Sequence, residues 1–558
     1  MYPTERHSFI GEGHDGFSGR HDSSGSPAEA RRHFRARGPG SFEGRALGPG
    51  PRRVHSRDPR DHPARIPGAG TVSTDRARSG ESAVDAGRGS LGSLPLLRGE
   101  RIWNAGDFTG VNISLAIATW AFLVGGSTAL LVGFQQGIAA MVIGNAIGLG
   151  FMILASVVAS QRYGVEQYTI LRPVFGLVGV GILVFTVILI TEMGWSSLLA
   201  IMVGRAVTQV SNSALGTDFG PESLMVTFFA LVAIAVAWWI LSRGPVTIGR
   251  FNKFIAPGLI VVTVALMVFL VLNTSWETLF SAAPLAPFED ERLNFALAVE
   301  FNVGVGVSWY PVMGSLARLT KTPRAALWPS YGGLLGATLI AQVVGMAAAL
   351  TLGDSDPTVW MLPFGGPVIG AFILLFIAFA NITSTSSIVY STVLAIRQAS
   401  GNLLSGVRWA WLCAAFFVLP AVLAFFPGFM YQRFMTFVTL SGAFLAPMCG
   451  AIIADYFLLR RQRVSLGDLY SHRSDSAYHF HGGVNWAGLG AVVVGAVFYL
   501  LIYNPVTLTA QPIFGYITAS FPSAVVGALV YYVLAQVLYV RRGIGDYSTA
   551  AQQVGGGA

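Results

Sequence analysis

"LVGVGILVFTVILITEMGWSSLLAIMV", residues 177–203, is apolar over a length that crosses a bilayer as one helix, yet it carries Glu192 just before Gly194-Trp195. A hydrocarbon core takes about 20 apolar residues to span. A carboxylate near its centre costs roughly 2.5–3.5 kcal/mol on insertion scales. The run is not isolated. From residue 108 onward, similar stretches recur to make twelve, at about 108–133, 137–160, 177–203, 224–241, 254–273, 294–316, 328–351, 367–395, 409–426, 434–458, 486–503 and 517–540. The 558 residues are 53% hydrophobic and only 11% charged, against about 25% charged in a soluble domain. The chain is therefore an all-α polytopic membrane protein with about twelve transmembrane helices, here numbered as spans 1 to 12.

The net charge of +8 does not point to nucleic acid, because of where the charge lies. Residues 1–101 hold 17 arginines among Gly, Ser, Pro and Asp with almost no apolar run. Such a segment reads as a disordered tail, and it has no apolar core of a secretory signal. With the N-terminus in the cytoplasm, the inner loops hold 16 Lys and Arg, against Arg205, Arg292 and Arg433 outside. The positive-inside rule then places both termini, including a short tail over 543–558, in the cytoplasm of a cell-membrane protein. Glu277, Glu289, Asp290 and Glu291 crowd one outer loop, as that orientation expects. Cys413 and Cys449 fall inside spans and read as small packing residues.

Two spans carry small-residue interruptions: Gly125-Gly126 in span 1, and Gly304 and Gly306 followed by Pro311 in span 6. Interrupted helices at matching positions of two halves point to a transporter built from inverted repeats. The offset of five spans reverses topology between the halves, as inversion requires. Close helix packing explains glycines equally well, so both readings stand at this point.

Several segments together resemble the type-1 nucleobase–cation symporters, most nearly the bacterial cytosine permeases. "SGAFLAPMCGAIIADYFLLRRQR" (441–463) and "GGVNWAG" (482–488) are similar to that family's span 10 and the start of span 11. "VIGNAIG" (142–148), "YGVEQYTILRPVFGLVG" (163–179), "MGWSS" (193–197) and "SLARLTKTPRAAL" (315–327) resemble its spans 2, 3 and 6. The resemblance runs from about 100 to 540. It implies a LeuT-like five-plus-five inverted repeat, with repeat one over 108–273 and repeat two over 294–458, and two further helices over 486–540. It also implies import of a heterocyclic base together with Na⁺ or H⁺, and no other cofactor.

A planar heterocycle needs a ring to stack on, a few polar groups at its edge and apolar surroundings. Trp195 supplies the ring, in the position the family's tryptophan occupies. Trp309, beside Tyr310 and the interruption at Gly304 and Gly306, is a second aromatic candidate or a packing residue. Glu192, one turn from Trp195 on the same face, either accepts hydrogen bonds from the substrate, carries a coupling proton, or bonds to a neighbouring helix. Relatives have an uncharged residue there. Glu300 is a weaker candidate, placed by span length near the interface. In span 8, "FANITSTSSIVYS" (379–391) is dense in hydroxyls. By resemblance, the Ala380 carbonyl and the Thr383 and Ser384 hydroxyls hold a cation, completed by carbonyls within 117–122, including Ala118 and Ala121. Hydroxyls that only bond back to the previous turn are the plain alternative. Phe122, Asn381 and Thr385 complete the expected substrate set, though Thr385, Ser386 and Ser387 replace the polar cluster of cytosine-type relatives.

Other chemistries fit less well. "HRSDSAYHFH" (472–481) has no defined metal spacing, no phosphate loop precedes a lysine, and no nucleophile–base pair stands out. The expectation is a symporter, not an enzyme, whose partners are a small heterocycle and the lipid bilayer, with no nucleic acid and no obligate protein partner. Hydantoin, allantoin, purine or vitamin-like substrates are the alternatives within the family, and amino acids the alternative within the fold.

Overall fold

The computed structural model describes residues 94–547, apart from 244, 364, 365, 401, 402 and 405. Most of the arginine-rich segment (1–93) and the end of the chain (548–558) lie outside the described residues. Among the described residues, nine helices are long and apolar enough to cross a membrane, and the bent pair Ala105–Ala116 and Thr119–Leu131 makes a tenth. Two shorter apolar helices, Trp409–Leu423 and Trp486–Ile502, stand where spans 9 and 11 are expected. All twelve expected positions carry a helix. Edges move where caps decide them. Span 3 runs on from Leu177 to Leu215 and stops at Gly216, whose φ of 65° closes the helix in the left-handed conformation.

The halves interlock reciprocally. Span 1 lies along span 7 (Pro323–Leu352), and span 6 (Glu291–Ala317) lies along span 2 (Phe134–Tyr163). Glycine allows the contact: a Cβ on Gly125 would sit 1.9 Å from the Gln342 carbonyl oxygen, and one on Gly345 only 2.1 Å from that of Phe122. Gly125-Gly126 therefore packs, and the expected break there is corrected. Span 1 breaks at Ile117-Ala118, which take extended backbone (φ −96°, ψ 96° and φ −149°, ψ 174°), and the two halves meet at 56°. Span 6 is interrupted more mildly at Ser308-Trp309, just after its glycines: both residues keep right-handed helical backbone and the span is not sharply bent, and Pro311 sits in the first turn of the second half, where its missing N–H is no loss. Where the four spans meet, Asn145 Nδ2 donates to Asn302 Oδ1 and to Gln342 Oε1, both at 3.0 Å, and Asn302 Nδ2 donates to Thr128 Oγ1 at 3.3 Å. A shared polar network of this kind fixes helix register inside an apolar bundle.

Spans 11 and 12 (Ser520–Arg542) pack against span 10 (Phe434–Leu459). The family-like "IADY" run explains itself here. Asp455 pairs with Arg460 at 2.8 Å and accepts from Tyr531 Oη at 2.7 Å and Tyr547 Oη at 3.2 Å. Arg460 also donates to the Gly545 and Pro173 carbonyls, at 2.7 and 3.2 Å. Residues 543–547, expected within a tail, are thus docked. At the other end, Leu96 is buried and donates to the Gly164 carbonyl at 2.8 Å, so 94–101 folds onto the loop after span 2 and the expected tail is shorter there. Both cysteines are buried free thiols.

Glu300 is the larger correction. It is fully buried, not interfacial: it accepts from the Ala519 and Ser520 amides at 2.9 and 3.0 Å and from Ser520 Oγ at 2.5 Å, capping the N-terminus of span 12. Glu300→Ala orphans two buried amides, so a loss of about 2–4 kcal/mol is expected. The check is the melting temperature of the detergent-purified protein, and an unshifted value would remove the cap from the stability of the fold.

Candidate functional site

The two breaks face one small cavity. Span 1 contributes Trp120 to it, span 3 Glu192 and Trp195, span 6 Ser308 and Trp309, and span 8 Ser384. The unwound backbone at Ile117-Ala118 turns Trp120 inward, and its Nε1 donates at 3.3 Å to the Leu115 carbonyl at the end of the first half-helix. Trp120 then stands edge-on to Trp195 and to Trp309, with ring centroids 6.0 and 5.5 Å away. Trp195 is held from behind by Phe434 and Phe437 of span 10, at 5.9 and 5.7 Å. The Gly-Trp pair has a steric reason. A Cβ on Gly194 would lie 2.5 Å from the Phe437 ring, so only glycine admits that support.

Polarity in the cavity is sparse. Glu192 is 1% exposed and its Oε1 has no hydrogen-bond partner; Trp195 Nε1 and Ser384 Oγ are also buried without one. The cavity volume is about 30 Å³, room for about two water molecules. A six-membered ring therefore enters only after the tryptophans part. Polar ties stand at both ends of the bundle. On the side of the loop between spans 7 and 8, Arg205 meets Asp356 at 2.5 Å, Tyr431 Oη donates to Asp356 at 2.7 Å, and the Arg205 guanidinium lies 3.8 Å from the Tyr431 ring centre. At the opposite end, the loop after span 2 holds the second half of span 6. Glu166 accepts from Ser315 Oγ at 2.8 Å, Gln167 Oε1 from the Gly314 amide at 2.7 Å, and the Pro311 carbonyl from Tyr168 Oη at 2.9 Å. Burial pushes the Glu166 carboxyl above the usual carboxylate range, and the nearby Arg318 guanidinium and these donors draw it partly back.

Of the residues named from sequence, Trp195, Glu192, Trp309 and Ser384 meet at this cavity. Others lie elsewhere. Phe122 faces Trp360, ring centres 6.2 Å apart, with its carbonyl against Gly345. Gly304 and Gly306 serve close packing against Val438 of span 10 and Gly148 of span 2. Thr385 lines a separate gap with Leu199, Ala200 and Ile382. Asn381 is buried and donates at 2.9 Å to Thr119 Oγ1, tying span 8 to the first residue after the span 1 break. In the cation set, Thr383 Oγ1 donates to the Ala380 carbonyl at 2.9 Å, and the Ala118 carbonyl accepts from the Ala121 amide at 3.0 Å. These are oxygens of the kind a hard cation takes, and the Thr383 hydroxyl keeps free lone pairs while it donates, but Thr383, Ser386 and Ser387 all bond back to the previous turn, as the plain alternative expects. Trp120 was missed because the break was placed at the glycines; once the break moves to 117–118, the first aromatic after it is the one that turns inward.

An inverted repeat with a broken helix in each half and a closed cavity between them defines a secondary transporter. Residues 98–527 match the model of a family described as permeases for cytosine/purines, uracil, thiamine and allantoin. The chain belongs to this family of multi-pass membrane permeases. It is 24% identical to the hydantoin permease of Microbacterium maritypicum over 431 residues, which is 72% of this chain and 82% of that one. The allantoin permease of Bacillus subtilis is also 24% identical, over 80% of this chain and 92% of the relative. Among solved structures, the nucleobase-cation-symport-1 family transporter Mhp1 with bromovinylhydantoin bound superposes with a TM-score of 0.63 at 18% identity, covering 80% of this chain and 95% of that one. An inward-facing Mhp1 structure gives 0.66, over 81% and 94%. These structural likenesses show a shared fold.

Proposed function

We propose that this permease imports a nitrogen heterocycle of nucleobase or hydantoin size by alternating access, coupled to Na⁺, with both termini in the cytoplasm of the cell membrane. The observation that carries the reading is the tryptophan box of Trp120, Trp195 and Trp309 set between the two helix breaks, with one carboxylate at its side. Flat π-faces suit a planar ring, and the paucity of polar groups limits it to a few edge contacts. Hydantoin, allantoin and purine-uracil permeases among the relatives agree with a ring of this class. The Arg205–Asp356 tie and the Glu166–Ser315 tie lie at opposite ends of the bundle and serve as the two gates that open alternately.

Na⁺ is favoured over H⁺ because the Ala380 carbonyl and the Thr383 and Ser384 hydroxyls cluster beside the span 1 break, which leaves Glu192 for the substrate. External Na⁺ then lowers the apparent Kd of the substrate, and substrate tightens Na⁺ by the same factor. Thr383→Ala with Ser384→Ala erases this coupling before it erases all substrate binding, since Ser384 also lines the cavity. Accumulation in proteoliposomes with each gradient imposed alone decides the matter. Uptake driven by a pH gradient in Na⁺-free buffer would overturn the Na⁺ assignment and make Glu192 the coupling group.

A further inference from the structure

Glu192 is the sole ionisable side chain lining the cavity; its neighbours there are Trp, Leu, Val, Ile and Ser. Among the described residues it forms no salt bridge, and the buried Arg205, Arg460 and Arg172 are held elsewhere, by Asp356, by Asp455 and by the Leu469 carbonyl. A buried carboxyl at the heart of a membrane protein with no counter-charge from the protein is neutralised either by a proton or by a cation from outside it. The walls around it also favour a particular kind of counter-charge. Tryptophan is the strongest aromatic partner for a cation, and boxes of aromatic rings recognise organic cations through their faces. Three tryptophans and one carboxylate form such a box.

We propose that the substrate is itself positively charged: a nitrogen heterocycle with a quaternary or protonated ring nitrogen, whose charge is met by Glu192 and by the faces of Trp120, Trp195 and Trp309. This deepens the reading of the cavity as the substrate site and rests on it. A neutral dione such as uracil or hydantoin fits the lining poorly. Its two carbonyls need donors, and beyond Glu192 the cavity offers the Ser384 hydroxyl and the Trp195 indole N–H, since Ser308 Oγ already donates to the Gly304 carbonyl at 2.7 Å. A bare Na⁺ fits worse, because it takes several oxygen ligands and most of this wall is carbon. With an organic cation bound, the carboxylate and substrate form a neutral pair within the cavity, which gives Glu192 its place in an apolar span.

The test uses the full chain purified in detergent, with binding measured by thermal shift and by calorimetry. 1-Methylnicotinamide and nicotinamide differ by one N-methyl group and one positive charge, so they isolate the charge; thiamine is a second fixed cation, uracil and hydantoin are neutral rings, and choline is a cation without a heterocycle. The expected result is that 1-methylnicotinamide or thiamine binds roughly tenfold or more tightly than the neutral rings. Glu192→Gln abolishes that preference, and Glu192→Asp, which keeps the charge, retains it at weaker affinity. Neutral rings binding as tightly as the cations, or a preference that survives in Glu192→Gln, overturns the charge assignment and leaves the heterocycle reading standing. Choline binding while no heterocycle binds does the reverse: it upholds the charge and overturns the heterocycle. Amino acids binding while no cation or ring does overturns both.

Discussion

Gly125→Leu and Gly345→Leu are each expected to abolish folded, transport-competent protein, the largest effect of any single substitution proposed for this chain. At both sites the atom in the way belongs to backbone: the Gln342 carbonyl oxygen at 1.9 Å and the Met346 amide at 2.7 Å from a Cβ on Gly125, and the Phe122 carbonyl oxygen at 2.1 Å from one on Gly345. A side chain can rotate away from a clash, but a helix backbone cannot. Spans 1 and 7 must separate by more than an ångström, and that movement also pulls Thr128 and Gln342 out of the polar network at the junction of the halves. Overpacking by a methylene or two already costs about 1–3 kcal/mol, and leucine adds more with no adjustable neighbour. Gly336→Leu is the control: it lies on the same span 7 with nothing within 4 Å of its Cβ. Size-exclusion profiles of a fluorescent fusion compare the three. A monodisperse Gly125→Leu protein with normal uptake would show that spans 1 and 7 do not meet as described.

Trp195→Ala is expected to reduce uptake by about two orders of magnitude while the protein still reaches the membrane. Base–aromatic stacking is worth about 1–3 kcal/mol, between about fivefold and 150-fold in affinity. Removing the indole also leaves Trp120 without its edge contact and Phe434 and Phe437 facing a void, so the remaining rings lose their fixed geometry. Trp195→Phe keeps a ring and recovers part of the activity; Trp120→Ala falls close to Trp195→Ala, since both rings wall the same cavity. Initial uptake rates against substrate concentration, normalised to protein in the membrane, make the comparison. Wild-type affinity in Trp195→Ala would take that residue out of the site.

Much of this was legible before any coordinates. Twelve apolar runs marked twelve helices, because a run long enough to cross hydrocarbon has no other way to satisfy its backbone there. That Glu192 and Trp195 share a face followed from a spacing of three on a helix, and the structure places both at one cavity. Glycines with a following proline located the break in span 6 within a few residues. The same signal failed in span 1. A glycine marks both a break and a close approach, and only the position of Gln342, more than two hundred residues away, distinguishes them. The true break at Ile117-Ala118 contains neither Gly nor Pro, and it is tied from a distance by Asn381 of span 8, which donates to Thr119. Phe122, expected at the substrate, consequently faces Trp360, and Trp120, two residues before it, lines the cavity instead. Glu300 was hidden for the same reason, since its partners at Ala519 and Ser520 lie at the start of span 12. Local patterning determined which segments cross the membrane and which residues share a helix face, because both are properties of neighbours in sequence. Which face meets a cavity, which glycine bends and which carboxylate caps a distant helix were decided by the packing of segments hundreds of residues apart.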